Sequence, residues 1–106
     1  MEGKEYGLIL SRRALSSLDD AAGWYEQQRE ELGMEFLMAF EEAADFLRKN
    51  PKIYQKVYRE FRKSSIKRFP YAIFFAVDDP KRVVRIVAVM HEKGVTTSEV
   101  KSLKMD

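Results

Sequence analysis

Residues Arg62 to His91, with the sequence RKSSIKRFPYAIFFAVDDPKRVVRIVAVMH, decide the fold. Tyr71–Val77 is an unbroken apolar run, and Val83–Met90 is nearly as apolar, interrupted only by Arg85. The intervening cluster, Asp78-Asp79-Pro80-Lys81, is rich in turn-forming residues. Two short β-branched and aromatic runs joined in this way predict a β-hairpin. Both strands are too apolar to expose two faces to water, so we expect the N-terminal half of the chain to cover one face.

The segment before the hairpin predicts two amphipathic helices. The first should span Arg12 to Leu32, with the Ser11 hydroxyl as its N-cap. Gly33 should then provide a left-handed exit or tight corner. The second helix should span Met34 to Lys49 and end at Asn50-Pro51, because proline disfavours helix at the preceding residue. Two such helices joined by one glycine predict a helical hairpin.

Shorter elements complete the predicted fold. We expect a first strand, an irregular loop over residues 51–59 anchored by Ile53 and Tyr54, a further strand-like run, a turn before the hairpin, and a short C-terminal helix. The first strand should span Tyr6 to Leu10, the strand-like run Glu60 to Arg68, and the turn Phe69-Pro70-Tyr71. The C-terminal helix should span Thr97 to Leu103, because Thr96-x-x-Glu99 has the capping-box spacing. The order β-α-α-β-β-β predicts an α+β fold in which the N-terminal helical hairpin packs on a small, mostly antiparallel sheet.

Composition limits the class of protein. A chain of 106 residues predicts one domain over residues 1–106, and 45% apolar with 34% charged residues is typical of a soluble globular protein. No apolar run approaches the roughly 20 residues of a membrane helix. The N-terminus, MEGKEYG, has no signal-peptide apolar region, and the absence of cysteine excludes disulfides and cysteine-rich zinc sites. A cytoplasmic location is the simplest expectation.

The positive charge is concentrated in one part of the chain. Residues 48–68, here called the basic segment, carry nine basic side chains and Glu60 as the single acid. Such uncompensated cations suit nucleic-acid phosphates or an acidic protein partner, although a solvated basic face is the alternative. The predicted partner-binding residues are Arg48, Lys49, Lys52, Lys56, Arg59 and Arg62.

Candidate catalytic residues are few. His91, the single histidine, ends an apolar strand and is either a titrating group or a structural one. No second histidine supports a histidine-rich metal site, no glycine-rich phosphate loop or nucleophile motif is present, and we expect neither metal nor cofactor. The side chains that remain as catalytic candidates are Arg62, Lys63, Lys67, His91 and Lys93.

An ordered set of short motifs over residues 6–93 resembles the RelE/ParE superfamily, the small toxins of bacterial type II toxin–antitoxin modules, also known as plasmid stabilisation proteins. The motifs are Ala14-x-x-x-Leu18-x-x-Ala21, Trp24-Tyr25-Glu26, Leu32-Gly33-x-x-Phe36, Asn50-Pro51, Arg62, Phe69-Pro70-Tyr71 and Val89-x-His91. The resemblance implies the same β-α-α-β-β-β fold, growth inhibition and a cognate antitoxin. It also implies either a homodimer or a toxin–antitoxin hetero-oligomer. We expect the antitoxin's C-terminal segment to wrap over the helical hairpin and the basic segment.

Two mechanisms occur among the proteins that this chain resembles. RelE-like members cleave mRNA on the ribosome, whereas ParE-like members inhibit DNA gyrase without nuclease activity. RelE-like members carry an arginine where this chain has Ala72, and many relatives carry another where it has Gly94. Both differences favour a ParE-like toxin that binds gyrase. The alternatives are a ribosome-dependent mRNA endonuclease and a non-toxic or inactivated binding module.

Three residues are assigned specific roles, Arg62 in binding and Phe69 and Tyr71 in packing. Arg62 matches the arginine that precedes the Phe-Pro-Tyr motif in the family, and we expect its guanidinium to make a bidentate contact with a phosphate or a partner carboxylate. The alternative for Arg62 is an internal ion pair, for example with Glu92 or Glu99. Phe69 and Tyr71 are predicted to be structural and to pack against the helical hairpin.

Overall fold

Two helices lie against one face of a five-stranded sheet whose strand order is β1-β5-β4-β3-β2. The structure, a computed structural model, describes residues 5–105. Its strands are β1 Gly7–Leu10, β2 Lys56–Tyr58, β3 Phe61–Ser65, β4 Tyr71–Asp78 and β5 Val83–His91. Its helices are α1 Arg12–Gln28, α2 Leu32–Lys49 and α3 Thr97–Lys101, with 3₁₀ turns at Pro51–Ile53 and Glu92–Gly94. Among the strand pairings of the described residues, only β1–β5 is parallel. This confirms the predicted α+β class and the mostly antiparallel sheet.

The predicted β4–β5 hairpin is confirmed, and it contains a β-bulge. Phe74 pairs with Ala88 while Phe75 pairs with Ile86, so Val87 is the additional residue on β5. Val87 and Ala88 therefore both belong to the apolar cluster on the face away from α1 and α2, here called the outer face. The bulge explains why the run Val83–Met90 shows no simple alternation of apolar and polar residues.

Both faces of the sheet are covered. On the helix face, Phe36, Phe40 and Leu47 of α2 pack with Ile73 and Phe75 of β4 in the main core. On the outer face, a smaller cluster is closed by residues of the C-terminal segment, among them Val95, Val100 and the buried Leu103. Because the C-terminal segment covers the outer face, β4 can be apolar on both of its faces. The hairpin sequence alone predicted a cover on one face only.

The short C-terminal helix is confirmed with a shifted end. The Thr96 hydroxyl accepts the backbone N–H of Glu99 at 3.1 Å, as the capping-box spacing predicted. Helix α3 stops at Lys101, so the prediction that it reaches Leu103 was wrong. Leu103 lies beyond the helix and is buried in the outer-face cluster, which fixes the chain where it leaves α3.

The corner between α1 and α2 lies earlier than predicted. Helix α1 ends at Gln28, not at Leu32, and α2 begins at Leu32, not at Met34. The carboxylate of Glu26 accepts the backbone N–H groups of Glu31 and Gly33, both at 3.0 Å. This side chain therefore satisfies free N–H groups at the start of α2, and Glu31 makes the turn in the left-handed conformation, with φ 75°.

Gly33 is not the corner residue that the sequence suggested. It is buried in the first turn of α2, and a Cβ atom at this position would lie 2.6 Å from the carbonyl oxygen of Ala22 in α1. Glycine is therefore required here by the close approach of two helix backbones. Ser11, in contrast, caps α1 as predicted, because its hydroxyl accepts the N–H of Ala14 at 3.1 Å.

The loop predicted over residues 51–59 contains regular structure. It includes the 3₁₀ turn and the short edge strand β2, which pairs with β3 through Lys56 opposite Arg62. Tyr54 anchors the segment as predicted, with its ring 5.7 Å from that of Phe75. Ile53 does not, because it is 75% exposed.

Strand β3 is shorter than the predicted run Glu60 to Arg68. It ends at Ser65, where the N–H of Ile66 bonds to the carbonyl of Tyr71 at 3.0 Å and begins the turn into β4. Arg68 lies within that turn in the left-handed conformation, with φ 73°. Lys67 and Arg68 therefore belong to a turn, where their side chains are exposed.

Candidate functional site

The basic segment runs from the last turn of α2 through β2 and β3 to the turn before β4. Its charges are partly compensated, which corrects the expectation of an uncompensated cluster. Carboxylates from other parts of the chain pair with several of its cations: Arg48 with Glu5 at 3.7 Å, Lys52 with Asp79 at 2.7 Å, Lys63 with Glu92 at 3.3 Å and Arg68 with Glu35 at 3.0 Å. These partners lie far from residues 48–68 in sequence, so charge counting along that segment could not reveal them.

Arg62 lies on the helix face of β3, opposite Phe75. Its Nη1 donates to the backbone carbonyl oxygens of Tyr54 at 2.6 Å and Lys52 at 3.2 Å. The guanidinium thus holds the segment that connects α2 to β2. The predicted alternative of an internal ion pair with Glu92 or Glu99 was wrong, because Glu92 pairs with Lys63 and Glu99 with Arg13.

These contacts predict a structural effect for changes at Arg62. Arg62→Ala should lower the free energy of unfolding by about 1–3 kcal/mol, because two carbonyl groups lose a charged donor. Arg62→Lys should recover only part of this loss, since the ammonium group sits on a flexible stem and holds its donors less rigidly than the guanidinium does. Thermal unfolding followed by circular dichroism measures both variants. An unchanged melting temperature in Arg62→Ala, with loss of activity, would instead assign Arg62 to a binding contact.

Lys63 lies on the opposite side of the sheet from Arg62, because neighbouring strand residues point to opposite faces. It pairs with Glu92 and lines an outer-face cleft of about 430 Å³ together with Phe74, Val95 and Val100. Ala72, at the position where the resemblance implied a catalytic arginine, is fully buried in the outer-face cluster. Around Lys63 the outer face therefore combines apolar side chains with Thr96, Thr97 and Lys101.

The other three catalytic candidates lie near the open end of the β4–β5 hairpin, where β4 begins and β5 ends. His91 pairs with Tyr71, roughly 13 Å along β4 from the Arg62 partner Phe75 at the usual strand rise. Its Nδ1 accepts the backbone N–H of Lys93 at 3.1 Å, and its ring packs edge-on against Tyr71. Lys67 and Lys93 are exposed. Arg62 therefore lies apart on the helix face, whereas the ammonium of Lys63 reaches Glu92, next to His91 and Lys93.

The Phe-Pro-Tyr turn is structural, as predicted. The Phe69 ring lies 4.9 Å from that of Tyr25 in α1 and 5.3 Å from that of Phe36 in α2. The Tyr71 ring also contacts the rings of Tyr25 and Phe36. Burial raises the pKa values of the Tyr25 and Tyr71 hydroxyls. The carbonyl of Pro70 accepts the N–H of Glu92 at 2.7 Å. The turn thereby joins both helices to the end of β5.

A polar network joins the chain at the other end of the sheet. The Asp79 carboxylate accepts hydrogen bonds from the Lys52 ammonium at 2.7 Å and from the Tyr6 hydroxyl at 2.8 Å. The Lys52 hydrogen bond is the main reason that the pKa of Asp79 is lowered, with Tyr6 second, and the same bond raises the pKa of Lys52. This network connects the start of β1, the 3₁₀ turn after α2 and the β4–β5 turn.

The direction of these pKa shifts predicts a pH dependence. A carboxyl group whose pKa is lowered by folding stabilises the protein above its unfolded pKa, about 3.9, and the stabilisation is lost as the pH falls through the folded pKa. Asp79→Asn should therefore lower the melting temperature at neutral pH, and the difference from the original protein should shrink in acid. Asp19→Asn, an exposed site on α1, is the matched control. A difference that is the same at all pH values would contradict this assignment.

A groove between α2 and β3 was not predicted as a site. Two adjoining clefts of about 390 and 430 Å³ share Ala39, Glu42 and Lys67, and their rims include Met38, Phe46, Lys49 and Arg68. Met34 and Met38 are four residues apart on α2 and both are exposed, as is Phe46. The sequence placed Phe46 only at the edge of the apolar face; the i, i+4 methionine spacing was the available signal.

Among residues 5–105, no group of three or more histidine, cysteine, aspartate and glutamate side chains is placed to hold a metal ion. Within that range, no helix is both long enough and apolar enough to cross a membrane.

Solved structures share the fold of this chain at low sequence identity. A chromosomal ParDE toxin–antitoxin system from P. aeruginosa aligns at 16% identity and a TM-score of 0.72, over 84% of this chain and 98% of that one. A mutant of the E. coli RelE toxin in the free state aligns at 21% identity and 0.67, over 92% of each chain. The RelBE2 toxin–antitoxin complex from Mycobacterium tuberculosis aligns at 20% identity and 0.63, over 85% and 94% respectively. No curated protein sequence shows a significant match.

A helical hairpin on a mixed five-stranded sheet, with these structural neighbours, defines the RelE/ParE toxin fold. The family model described as the ParE toxin of the type II toxin–antitoxin system parDE matches residues 8–95. The chain belongs to this ParE toxin family, as the ordered motifs had predicted for the superfamily.

Proposed function

We propose that this protein is a toxin that acts by binding DNA gyrase and that a cognate antitoxin neutralises it. The observation that carries the gyrase assignment is the lack, among the described residues, of a cluster of unpaired cations around Ala72 and Lys63 on the outer face of the sheet. There Ala72 is buried among apolar side chains, and Lys63 is paired with Glu92. Phosphodiester cleavage requires cations that stabilise charge developing on phosphate. The outer-face cleft supplies such charge poorly, because of its two lysines, Lys63 and Lys101, the first is paired with Glu92. The match to the ParE family model supports the same choice.

The placement of the candidate residues also supports a binding mechanism. Arg62 lies on the helix face, Lys63 on the outer face is held by Glu92, and Nδ1 of His91 is occupied by the N–H of Lys93. General acid–base chemistry requires groups within hydrogen-bond reach of one substrate. Binding to a large protein makes no such demand, because its contacts are distributed over an extended surface.

The experiment compares the two targets directly. The purified protein is added to a gyrase supercoiling reaction and, separately, to ribosomes programmed with mRNA. We expect inhibition of supercoiling and intact mRNA. Cleaved mRNA with normal supercoiling would establish the ribosome-dependent endonuclease instead. Absence of both effects, and of growth arrest when the protein is produced without its antitoxin, would establish the non-toxic binding module.

The α2–β3 groove is the surface that we propose for the antitoxin. An amphipathic helix can place apolar side chains against Met34, Met38 and Phe46, while its acidic side chains meet Lys49 and Lys67 along the rim. The ParDE and RelBE2 structures are toxin–antitoxin systems, which supports an antitoxin as the occupant. A partner whose binding segment is acidic and folds on contact would complement the positive charges of Lys49 and Lys67.

Substitution in the groove tests this assignment. Met38→Glu and Phe46→Glu should weaken antitoxin binding by at least about tenfold without unfolding the toxin, since both side chains are exposed and a desolvated carboxylate opposes an apolar contact. Met105→Glu, on the segment that covers the outer face, is the matched control. Equal affinity in all three variants would exclude the groove. If the rate of association between toxin and antitoxin does not depend on salt concentration, the proposed contacts of acidic antitoxin side chains with Lys49 and Lys67 would be excluded.

A further inference from the structure

Trp24 lies at the edge of a cleft that the gyrase and antitoxin proposals do not use. The cleft has a volume of about 410 Å³ and is lined by Trp24, Tyr25, Pro70, Tyr71 and His91. Trp24 is 56% exposed, although tryptophan is the largest apolar side chain in the protein. Its ring nevertheless has a defined position, with its centroid 5.1 Å from that of Tyr25 at an interplanar angle of 81°.

The aromatic rings of this cleft form a connected series. Tyr25 contacts Tyr71 at 6.2 Å and 63°, and Tyr71 contacts His91 at 5.1 Å and 73°. Successive rings are steeply inclined, so the series presents ridges and recesses instead of one flat stacking surface. Proline rings and extended backbone fit between aromatic ridges of this kind.

The polar atoms of the cleft are suited to donate hydrogen bonds. Because Nδ1 of His91 accepts the N–H of Lys93, the neutral imidazole carries its proton on Nε2, which is then a donor. The Trp24 indole is a donor only. Burial raises the pKa values of Tyr25 and Tyr71, so both hydroxyls keep their protons at neutral pH. The matching ligand therefore offers acceptors.

The lining residues also limit the class of ligand by charge. They include no lysine, arginine, aspartate or glutamate, and the neighbouring Glu92 carboxylate is paired with Lys63. Nucleic acid would require cations beside the stacking rings. A proline-rich segment carries no charge, lacks N–H groups at its prolines, and exposes carbonyl oxygens that make no internal hydrogen bonds.

We propose that the Trp24–His91 cleft binds a proline-containing extended segment of a partner protein. Proline rings would pack between Trp24 and Tyr71, while the donors of the cleft would bind the carbonyl oxygens of the segment. The cleft is separate from the α2–β3 groove. The inference does not depend on the target of the toxin, because it rests on this lining alone.

The single tryptophan of the chain provides the measurement. The purified protein is titrated with a polyproline peptide while Trp24 fluorescence is recorded, and a glycine–serine peptide of equal length is the control. We expect a saturable spectral shift with the proline peptide only. No shift, or the same shift with both peptides, would overturn the proposal, as would tighter binding of a single-stranded oligonucleotide.

Variants measured by calorimetry identify the residues involved. Trp24→Ala should weaken peptide binding by at least about tenfold, the usual effect of truncating an aromatic anchor. His91→Phe keeps a ring but removes the donor, and should also weaken binding. Leu15→Ala, an exposed apolar site on the same helix and roughly 13 Å from Trp24 along its axis, should bind normally. Circular dichroism verifies the fold of each variant; full affinity in a folded Trp24→Ala variant would refute the proposal.

Discussion

Replacing Phe69 by alanine is expected to lower the free energy of unfolding by about 3–5 kcal/mol, the usual loss for a buried phenylalanine. Phe69 is only 7% exposed, and it fills the space between α1, α2 and the turn into β4. Its ring meets Tyr25 at 72° and Phe36 at 86°, edge-to-face arrangements that add to the loss of apolar burial. Because one side chain joins three elements, collapse of the surrounding residues cannot fill the cavity without moving a helix.

Urea unfolding followed by circular dichroism measures this loss. Phe46→Ala is the matched control: the residue type and the substitution are the same, but Phe46 is 64% exposed, so stability should change by no more than about 0.5 kcal/mol. A similar small change in both variants would show that Phe69 does not support the packing of the turn against the helices.

Gly33→Ala is the second substitution with a large expected effect. The added methyl group would lie 2.6 Å from the Ala22 carbonyl oxygen and 3.0 Å from Glu26 Oε1. The first of these atoms belongs to the helix backbone and cannot rotate away, so α1 and α2 must separate. Forced overpacking of this kind costs about 1–3 kcal/mol, and the Glu26 hydrogen bond to the Gly33 N–H should be disturbed as well.

Gly23 provides a control of opposite sign. It lies within α1, and a Cβ atom there would meet nothing within 4 Å. Gly23→Ala should therefore stabilise the protein by about 0.5–1 kcal/mol through helix propensity alone. Destabilisation by Gly33→Ala together with stabilisation by Gly23→Ala would isolate the helix contact. Stabilisation in both would contradict the close approach at Gly33.

The strands and helices that bury regular apolar faces could be predicted from the sequence. The hairpin runs, the Ser11 cap and the stop at Asn50-Pro51 depend on neighbouring residues, and local chemistry determined them. The corner after α1 depended on Glu26 reaching the backbone of Gly33, seven positions away. The short strand β2 forms because it pairs with the edge of β3. The local propensity of Lys56–Tyr58 does not predict this pairing.

The candidate site was less predictable than the fold, because charge pairing is a tertiary property. The carboxylates that meet Lys52 and Lys63 are Asp79 and Glu92, from the β4–β5 turn and the end of β5. Arg62 was correctly predicted to lie in a strand. Its hydrogen-bond acceptors, the carbonyl oxygens of Lys52 and Tyr54, belong to the segment after α2, and their position beside β3 is a tertiary feature. Sequence identified the cations but not the groups that they contact.

The parallel pairing of β1 with β5 has a consequence for synthesis on the ribosome. The Ser11 hydroxyl donates to the carbonyl of Val87, 76 positions later, and β1 has β5 as its sheet neighbour. Contacts so distant in sequence form late and slow the folding of a domain. Until β4 and β5 have been translated, at roughly 5–20 residues per second, the apolar side of the helical hairpin has no sheet to cover it. Phe36, Phe40 and Leu47 therefore lack their sheet partners for several seconds of synthesis, a period in which chaperones can bind the part of the chain that has left the ribosome.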